Sequence, residues 1–210
     1  MSTIKADAIT ASTGTNTNIA ISGKGSGKVK LGDGNLLFPD ADGAAGTAVV
    51  TNGSGTLSFA ATGKVVQVVN TKTGAVASTT TTLPNDDTII QNTEGGEFLT
   101  LAITPTSASN LLRIQGVFQT SPNGGQFITA ALFQDSTASA LAASMEYGGA
   151  NTALEVVLDY YMTAGTASAT TFKVRLGMAS AGTLTLNGIS AGRKYGGVLI
   201  SSLTITEIAA

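Results

Sequence analysis

A period-two alternation identifies the fold class of this chain, and it reads Leu154-Glu155-Val156-Val157-Leu158-Asp159-Tyr160-Tyr161-Met162. Successive side chains of a β-strand point to opposite faces, so the stretch predicts a strand whose even-numbered residues face a core. Val157 and Tyr161 are apolar on the other face. They belong either to ordinary surface or to a subunit interface.

Further strands are predicted on both sides of this one, at a spacing of about ten residues. They lie at residues 64–69, 99–103, 111–118, 126–134, 141–147, 172–178, 183–186 and 198–208. Strands with one solvent-exposed and one buried face predict antiparallel sheets packed on each other. Parallel sheets would need helical crossovers, which a Gly- and Thr-rich chain lacks. The chain is therefore predicted to be all-β, with a jelly-roll-like sandwich over residues 63–210.

The composition excludes several classes of protein. The chain has 210 residues, of which 11% are charged, and its net charge is −2. Its 11 Lys and Arg residues are scattered, so we expect no nucleic-acid partner. Cys, His and Trp are absent, which excludes disulfides, thiolate zinc sites and His-based catalysis.

The apolar residues form short clusters that fall well below the ~18 consecutive residues of a membrane-spanning helix. Residues 2–7 include Ser2, Lys5 and Asp7, where a secretory signal would carry a basic flank and an apolar run. We therefore expect no membrane insertion and synthesis in a cytoplasm.

Residues 1–62 form a separate region of short apolar clusters between Gly-rich turns. The turns are predicted at residues 23–27, 32–34, 42–43 and 52–55. The clusters hold too few large apolar side chains for one copy to fold alone. The region is therefore either disordered or an intertwined, fibrous β-structure made by identical chains.

Two motifs superficially resemble ligand sites, and neither fits. Residues 23–28 resemble a phosphate loop, but Ser22 stands at the first Gly position and Val29 follows Lys28. Residues 40–43 resemble the start of a calcium loop but lack the closing Glu. Turns explain both, so we expect no cofactor and no metal.

Paired carboxylates could still hydrolyse a polysaccharide. The candidate pairs are Asp86 with Asp87, Glu94 with Glu97, Asp135 with Glu146, and Glu155 with Asp159. The last pair would lie about 13 Å apart on one strand face, and adjacent residues such as Asp86 and Asp87 would point to opposite faces. We therefore expect solvated charges and no enzyme.

Two loops are candidate contact surfaces, because recognition on a rigid sandwich usually resides in loops. Residues 187–197 form a Gly-rich loop that carries Arg193, Lys194 and Tyr195. Glu146 and Tyr147, which precede two glycines, look like a second loop. The alternative for each is a solvated hairpin tip.

Several stretches resemble tail-fibre proteins of tailed bacteriophages. The N-terminal ones are residues 1–10, 22–42 and 48–60, and the C-terminal ones are residues 63–69, 86–95, 103–110 and 196–207. Ile90 stands where such fibre tips would have Pro.

The resemblance implies a homotrimeric fibre of the virion, assembled in the host cytoplasm. It implies that residues 1–62 attach to other virion proteins or form a shaft, and that residues 63–210 form a head that binds a host surface glycan or protein. A capsid-decorating fibre without receptor recognition and a carboxylate-dependent depolymerase remain the alternatives.

Overall fold

The structure is a computed structural model that describes residues 30–31, 36–37, 39, 43, 47–61 and 64–210. It divides into two units, Met1–Thr62 and Gly63–Ala210. The turns expected at residues 23–27 and 32–34, the motif at residues 23–28 and most of the one at residues 40–43 lie outside the described residues.

The described strands of the first unit form two antiparallel pairs. β1 (Lys30–Leu31) pairs with β2 (Leu36–Leu37), and β3 (Thr47–Thr51) pairs with β4 (Leu57–Ala61). Oδ1 of Asn52 closes the second hairpin by accepting hydrogen bonds from the backbone N–H groups of Ser54 at 2.8 Å and Thr56 at 3.1 Å. The turn predicted at residues 52–55 is confirmed.

The second unit contains twelve strands and one 3₁₀ turn, Tyr195–Gly197. The strands are β5 (Val65–Thr73), β6 (Ala77–Thr79), β7 (Gly96–Ile103), β8 (Leu111–Pro122), β9 (Gln126–Gln134), β10 (Ala142–Gly148), β11 (Leu154–Thr163), β12 (Thr170–Met178), β13 (Leu184–Leu186), β14 (Gly188–Ile189), β15 (Gly192–Arg193) and β16 (Ser201–Ile208).

The eight long strands pair as nested hairpins. β5 pairs with β16, β7 with β12, β8 with β11, and β9 with β10, all antiparallel. Pairing of β16 with β8 and of β12 with β9 then joins these hairpins into two sheets, β5-β16-β8-β11 and β7-β12-β9-β10. A long hairpin rolled up in this way is a jelly roll, so the predicted all-β sandwich is confirmed.

The core lies between the inner faces of the two sheets. On β11, Val156 and Leu158 are buried, as the alternation predicts. They join one cluster with buried side chains from both sheets, which include Leu99, Leu112, Ile114, Phe118, Ile128, Leu132, Phe172, Val174, Leu203 and Ile205. Interdigitation of the two inner faces is what holds the sandwich together.

Strand β9 departs from the expected alternation of solvent-exposed and buried side chains. Residues 128–133 of β9 are buried on both sides. The segment of residues 80–95 covers the outer side, where the backbone N–H of Leu83 donates to the carbonyl of Met178 at 2.9 Å. Leu83, Ala131 and Phe133 are consequently buried outside the main cluster.

Gly177 on β12 explains how this covering segment comes so close. A Cβ at Gly177 would lie 2.9 Å from the carbonyl oxygen of Thr81 and 3.0 Å from the backbone nitrogen of Leu83. A side chain there would displace backbone atoms, so glycine is required by the close approach of the two chains.

Asn187 ties together the connections at one end of the sandwich. It is fully buried, and its Nδ2 donates to the carbonyl oxygens of Thr73 at 2.9 Å and Ala75 at 3.0 Å. Its Oδ1 accepts the hydroxyl hydrogen of Ser201 at 2.7 Å. Asn187 therefore fixes the start of the loop predicted at residues 187–197 and, through Ser201, the strand that follows the loop.

Candidate binding and subunit surfaces

Tyr147 and Glu146 lie on β10, which confirms the strand predicted at residues 141–147 and corrects the expectation that the two residues belong to a loop. Gly148 ends the strand, so the glycines that suggested a loop mark its boundary. Tyr147 pairs in register with Phe127 on the outer side of the sheet, whereas Glu146 pairs with Ile128, which faces the core. The two candidates therefore point to opposite sides of an edge strand.

Tyr147 and Phe127 form an exposed aromatic pair. Their ring centroids lie 5.3 Å apart and their planes meet at 74°, an edge-to-face arrangement. Tyr147 is 62% exposed, and Met145, two residues earlier on the same face of β10, is 53% exposed. The outer side of β10 is thus an apolar strip that faces solvent.

A cavity of about 280 Å³ adjoins this strip, between β10 and the segment of residues 84–90. We name it the β10 groove, and its lining residues are Pro84, Asn85, Asp86, Thr88, Ile90, Thr129, Ala143, Ser144 and Met145. A second cavity of about 200 Å³ shares Thr88, Ile90 and Ala143 with it, so the depression extends toward residues 140–142.

The carboxylate of Asp86 is fixed at the rim of the groove. Its Oδ1 accepts hydrogen bonds from the hydroxyl of Thr88 at 2.5 Å and from the backbone N–H of the same residue at 2.9 Å. These two bonds hold the pKa of Asp86 below its usual value. The groove therefore carries a negative charge at neutral pH.

Sequence reasoning missed this groove because it considered Asp86 and Asp87 as a possible catalytic pair and as part of a stretch that resembles fibre tips, but not as the wall of a binding site. The signals that could have found it are the spacing of Asp86 and Thr88, which is typical of an Asx turn, and the apolar side chains two residues apart on β10. Their proximity depends on the path of residues 80–95 across the sheet, which no local pattern encodes.

The second candidate loop forms a short hairpin and a 3₁₀ turn. Arg193 is on β15, and Tyr195 begins the turn with φ +48° and 78% exposure. Ser190 Oγ donates to Oδ1 of Asn151 at 2.8 Å, which brings the hairpin against the connection between β10 and β11. Within the described residues, no hydrogen bond or ring contact joins Arg193, Lys194 or Tyr195 to the β10 strip.

Val157 and Tyr161 lie on the outer face of the first sheet, and each is 48% exposed. Val157 pairs in register with Val117, and Tyr161 pairs with Arg113. Around them are the outward-facing side chains of all four strands, which include Val66, Val68, Leu111, Gln115, Thr204, Thr206 and Ile208. We name this surface the outer sheet face, and it is mainly apolar or uncharged.

An ion pair crosses the outer sheet face. Arg113 contacts Asp159 through two hydrogen bonds, from Nε at 3.0 Å and from Nη2 at 2.7 Å. The hydrogen bonds from Arg113 hold the pKa of Asp159 below its usual value. Because the same guanidinium lies 5.2 Å from the ring centroid of Tyr161, it also holds that ring in place.

Most of the acidic residues considered as catalytic pairs make hydrogen bonds or an ion pair within the fold. Glu155 accepts from Gln119 at 2.6 Å, and Asp135 accepts from Thr170 and Thr171. Glu94 accepts from the backbone of Gln91. In the part of the chain that the structure describes, no group of three or more Asp or Glu residues is placed to hold a metal ion.

A charged pocket of about 320 Å³ lies farther along the second sheet, with Glu97, Asp135, Lys173 and Arg175 in its lining. Arg175 donates to the carbonyls of Glu94 and Gly95 at 2.7 Å, and its Nη1 lies 3.5 Å from Glu97. These bonds fasten the covering segment to β12, so the charges have a structural role there.

No helix in the described ranges is long and apolar enough to cross a membrane. No family model and no curated protein sequence matches the chain.

Among solved structures, the chain is similar to an Eiger TNF from S. frugiperda, with 8% identity and a TM-score of 0.37 over 68% of this chain and 93% of that one. It is also similar to a chain of infectious bursal disease virus, Gt strain, with 14% identity and a TM-score of 0.35, over 73% of this chain and 40% of that one.

A third similarity is to the enzymatically active domain of tailspike protein 4 of bacteriophage CBA120, with 14% identity and a TM-score of 0.25. That match covers 59% of this chain and 19% of the other. The neighbours thus include proteins of virus particles and a phage tailspike. At such low TM-scores they give no basis for transferring a function, and the jelly roll is assigned from the strand pairings alone.

Proposed function

We propose that this chain is a non-enzymatic, homotrimeric fibre protein of a tailed-bacteriophage virion, and that its C-terminal jelly roll binds the host cell surface. The observation that carries the proposal is the exposed Phe127 and Tyr147 pair beside the β10 groove. Exposed apolar patches and concave surfaces are each features that mark binding sites for ligands or partners. The N-terminal unit would attach the fibre to other virion proteins.

The contacts of the carboxylates support binding as opposed to catalysis. Glycoside hydrolysis needs two carboxyl groups that face each other across one bond. In this jelly roll, Asp159 is held by Arg113, and Asp86 by Thr88. Because these hydrogen bonds lower the pKa of both carboxyl groups, neither is suited to donate a proton to a leaving group.

The outer sheet face supports the trimer. Val157 and Tyr161 stand among Val, Leu, Ile and Thr side chains of a regular sheet, and a mainly apolar surface of this kind, whose Arg113 and Asp159 pair with each other, is suited to burial against identical subunits. Three copies would then present three β10 grooves. Repetition raises the effective concentration, so a weak single contact suffices for adsorption.

The exposed side chains of Arg193, Lys194 and Tyr195 would form a second contact surface on the same head. Aromatic and Arg side chains are enriched where proteins meet partners. The firm anchoring of this loop by Asn187 means that little ordering would be required on binding.

Gold-labelled antibodies against the full chain, applied to intact virions, test the location. Label at the tail tip and binding of the full chain to the bacteria on which the virion grows are the expected results. Label confined to the capsid, with no binding to those cells, would instead support a decorating fibre. New reducing ends released from host polysaccharide by the purified chain would overturn the non-enzymatic assignment.

A further inference from the structure

We infer that the β10 groove binds a neutral saccharide, such as a terminal sugar of a host glycan. This inference rests on the proposed host-binding function and names the ligand class for one of its surfaces. A sugar ring has a face of C–H groups and a rim of hydroxyls. A site for it therefore needs an apolar platform beside several hydrogen-bonding groups.

The platform is the strip of Phe127, Tyr147 and Met145. Residues two apart on a strand are about 7 Å apart, so Met145 and Tyr147 are spaced to contact one sugar ring and the sugar ring linked to it. The edge-to-face contact with Phe127 holds the ring of Tyr147, so little side-chain entropy is lost on binding.

The hydrogen-bonding groups come from the opposite wall and from β9. Oδ1 of Asp86 is occupied by Thr88, but its Oδ2 has no hydrogen-bond partner among the described residues. The side chains of Asn85 and of Thr129, which pairs in register with Met145 on the outer side, also have none within the ranges that the structure describes. A carboxylate, an amide and a hydroxyl thus offer both donors and acceptors to sugar hydroxyls.

The charge of the groove selects among sugars. Asp86 is ionised, Asp87 follows it, and the lining contains no Lys or Arg. A uronic acid, a sialic acid or a phosphorylated sugar would bring a second negative charge to a site without a cation. Neutral sugars avoid this repulsion.

The size of the groove indicates a small ligand and weak binding. Its volume of about 280 Å³ falls just below the usual range for small-molecule sites, which begins at about 300 Å³. The site would therefore take a terminal residue of a glycan and depend on repetition within the trimer for firm attachment.

Saturation-transfer NMR on the full chain tests this inference. The probes are the methyl glycosides of glucose, galactose, mannose and N-acetylglucosamine at millimolar concentration, with glucuronic acid and N-acetylneuraminic acid as acidic sugars. We expect transfer to at least one neutral glycoside and none to the acidic sugars. Absence of transfer to every neutral glycoside, or stronger transfer to an acidic sugar, would overturn the inference.

Variants locate the site. Tyr147→Ala and Asp86→Ala should each weaken the neutral glycoside signal about tenfold, whereas Tyr147→Phe keeps the ring and should retain most of it. Val198→Ala truncates an exposed side chain just after the 3₁₀ turn and serves as the matched control. Asp86→Asn keeps an acceptor without the charge, so it should admit acidic sugars. Unchanged signals in Tyr147→Ala and Asp86→Ala would overturn the site.

Binding of the same proteins to host cells separates this inference from the proposed function. If the full chain binds cells but no glycoside, the saccharide inference fails and adsorption stands. If glycosides bind the groove and no cells are bound, adsorption fails and the sugar site stands.

Discussion

Nδ2 of Asn110 donates a hydrogen bond of 2.6 Å to Oε1 of Glu207, which joins the connection between β7 and β8 to the last strand. The same oxygen accepts from the backbone and hydroxyl of Thr106, and Oε2 accepts from Gln67 at 2.6 Å. Glu207 is fully buried. Residues 103–110 and 207 carry part of the resemblance to phage fibres. The hydrogen bonds among Thr106, Asn110 and Glu207 give these three residues a role in stabilising the fold.

The Glu207 network predicts acid sensitivity. Burial raises the pKa of Glu207, but hydrogen bonds from Asn110, Gln67 and Thr106 outweigh it and lower the pKa from 4.5 to about 2. A carboxyl with a lowered pKa stabilises the fold above its unfolded-state pKa and loses this effect as the pH falls. We expect about 3 kcal/mol to be lost between about pH 5 and pH 2, measured by urea unfolding at several pH values.

Glu207→Gln tests which residue causes this sensitivity. The variant places an amide NH₂ against the donor groups, so the free energy of unfolding should fall by about 2–3 kcal/mol at neutral pH, with a flatter pH profile below pH 5. Glu155→Gln changes an exposed carboxyl with one hydrogen bond and should cost less than about 0.5 kcal/mol. Equal losses in both variants would contradict the network.

Asn187→Ala should destabilise the jelly roll at the end where the β14–β15 hairpin lies. The substitution leaves the carbonyls of Thr73 and Ala75 and the hydroxyl of Ser201 without their partner, at a backbone φ of +56° that disfavours alanine. We expect the free energy of unfolding to fall by about 2–4 kcal/mol and residues 188–200 to become protease-sensitive. Unchanged proteolysis of that segment would show that Asn187 does not anchor it.

Much of the fold could be predicted from local alternation. β9 begins and ends at the residues expected, and β11 buries Val156 and Leu158 as predicted. The last strand begins at Ser201 and not at residue 198, because Tyr195–Gly197 forms a 3₁₀ turn with positive φ at all three residues. Val198 and Ile200 are apolar, so the sequence pattern places them in the strand, but both side chains are exposed.

The candidate site was less predictable, because it depends on contacts between distant segments. Tyr147 was chosen correctly as an exposed aromatic residue, but the companions that make a groove, such as Asp86 and Ile90, lie more than fifty residues earlier in the chain. Only the crossing of residues 80–95 over β9 brings them together. Patterns of period two describe strands, and they contain no information on such a crossing.

Gly177→Ala should alter the β10 groove, although Gly177 is not one of its lining residues. A Cβ at Gly177 would meet the backbone of Thr81 and Leu83 at about 3 Å, so the covering segment must lift from the sheet. We expect a loss of about 1–3 kcal/mol and faster hydrogen exchange at residues 81–90. Gly124→Ala, where the nearest atom is 3.8 Å away at the tip of Gln126, is the matched control. Exchange that stays slow in Gly177→Ala would contradict the close approach.

Val157→Asp tests the proposed trimer interface. The new carboxylate would lie on the outer sheet face between Glu155 and Asp159, where burial against a second subunit would leave it unpaired, because Arg113 already pairs with Asp159. Sedimentation equilibrium should show trimers for the wild-type chain and monomers for the variant. Val198→Asp introduces the same charge at an exposed position just after the 3₁₀ turn and should remain trimeric. A trimeric Val157→Asp would move the interface elsewhere, and a monomeric wild type would contradict the trimer itself.

Tyr195→Ala and Tyr147→Ala compare the two proposed contact surfaces. The two side chains lie on separate elements that share no hydrogen bond or ring contact in the described residues, so their effects on adsorption should be independent and add in free energy. We expect each single variant to slow adsorption of virions to host cells, and the double variant to slow it by the product of both factors. In the proposed trimer each surface would be present three times, so even a small loss at one site should be amplified. Unchanged adsorption of Tyr195→Ala would remove the loop of residues 187–197 from the contact surface and leave the β10 groove as the remaining candidate.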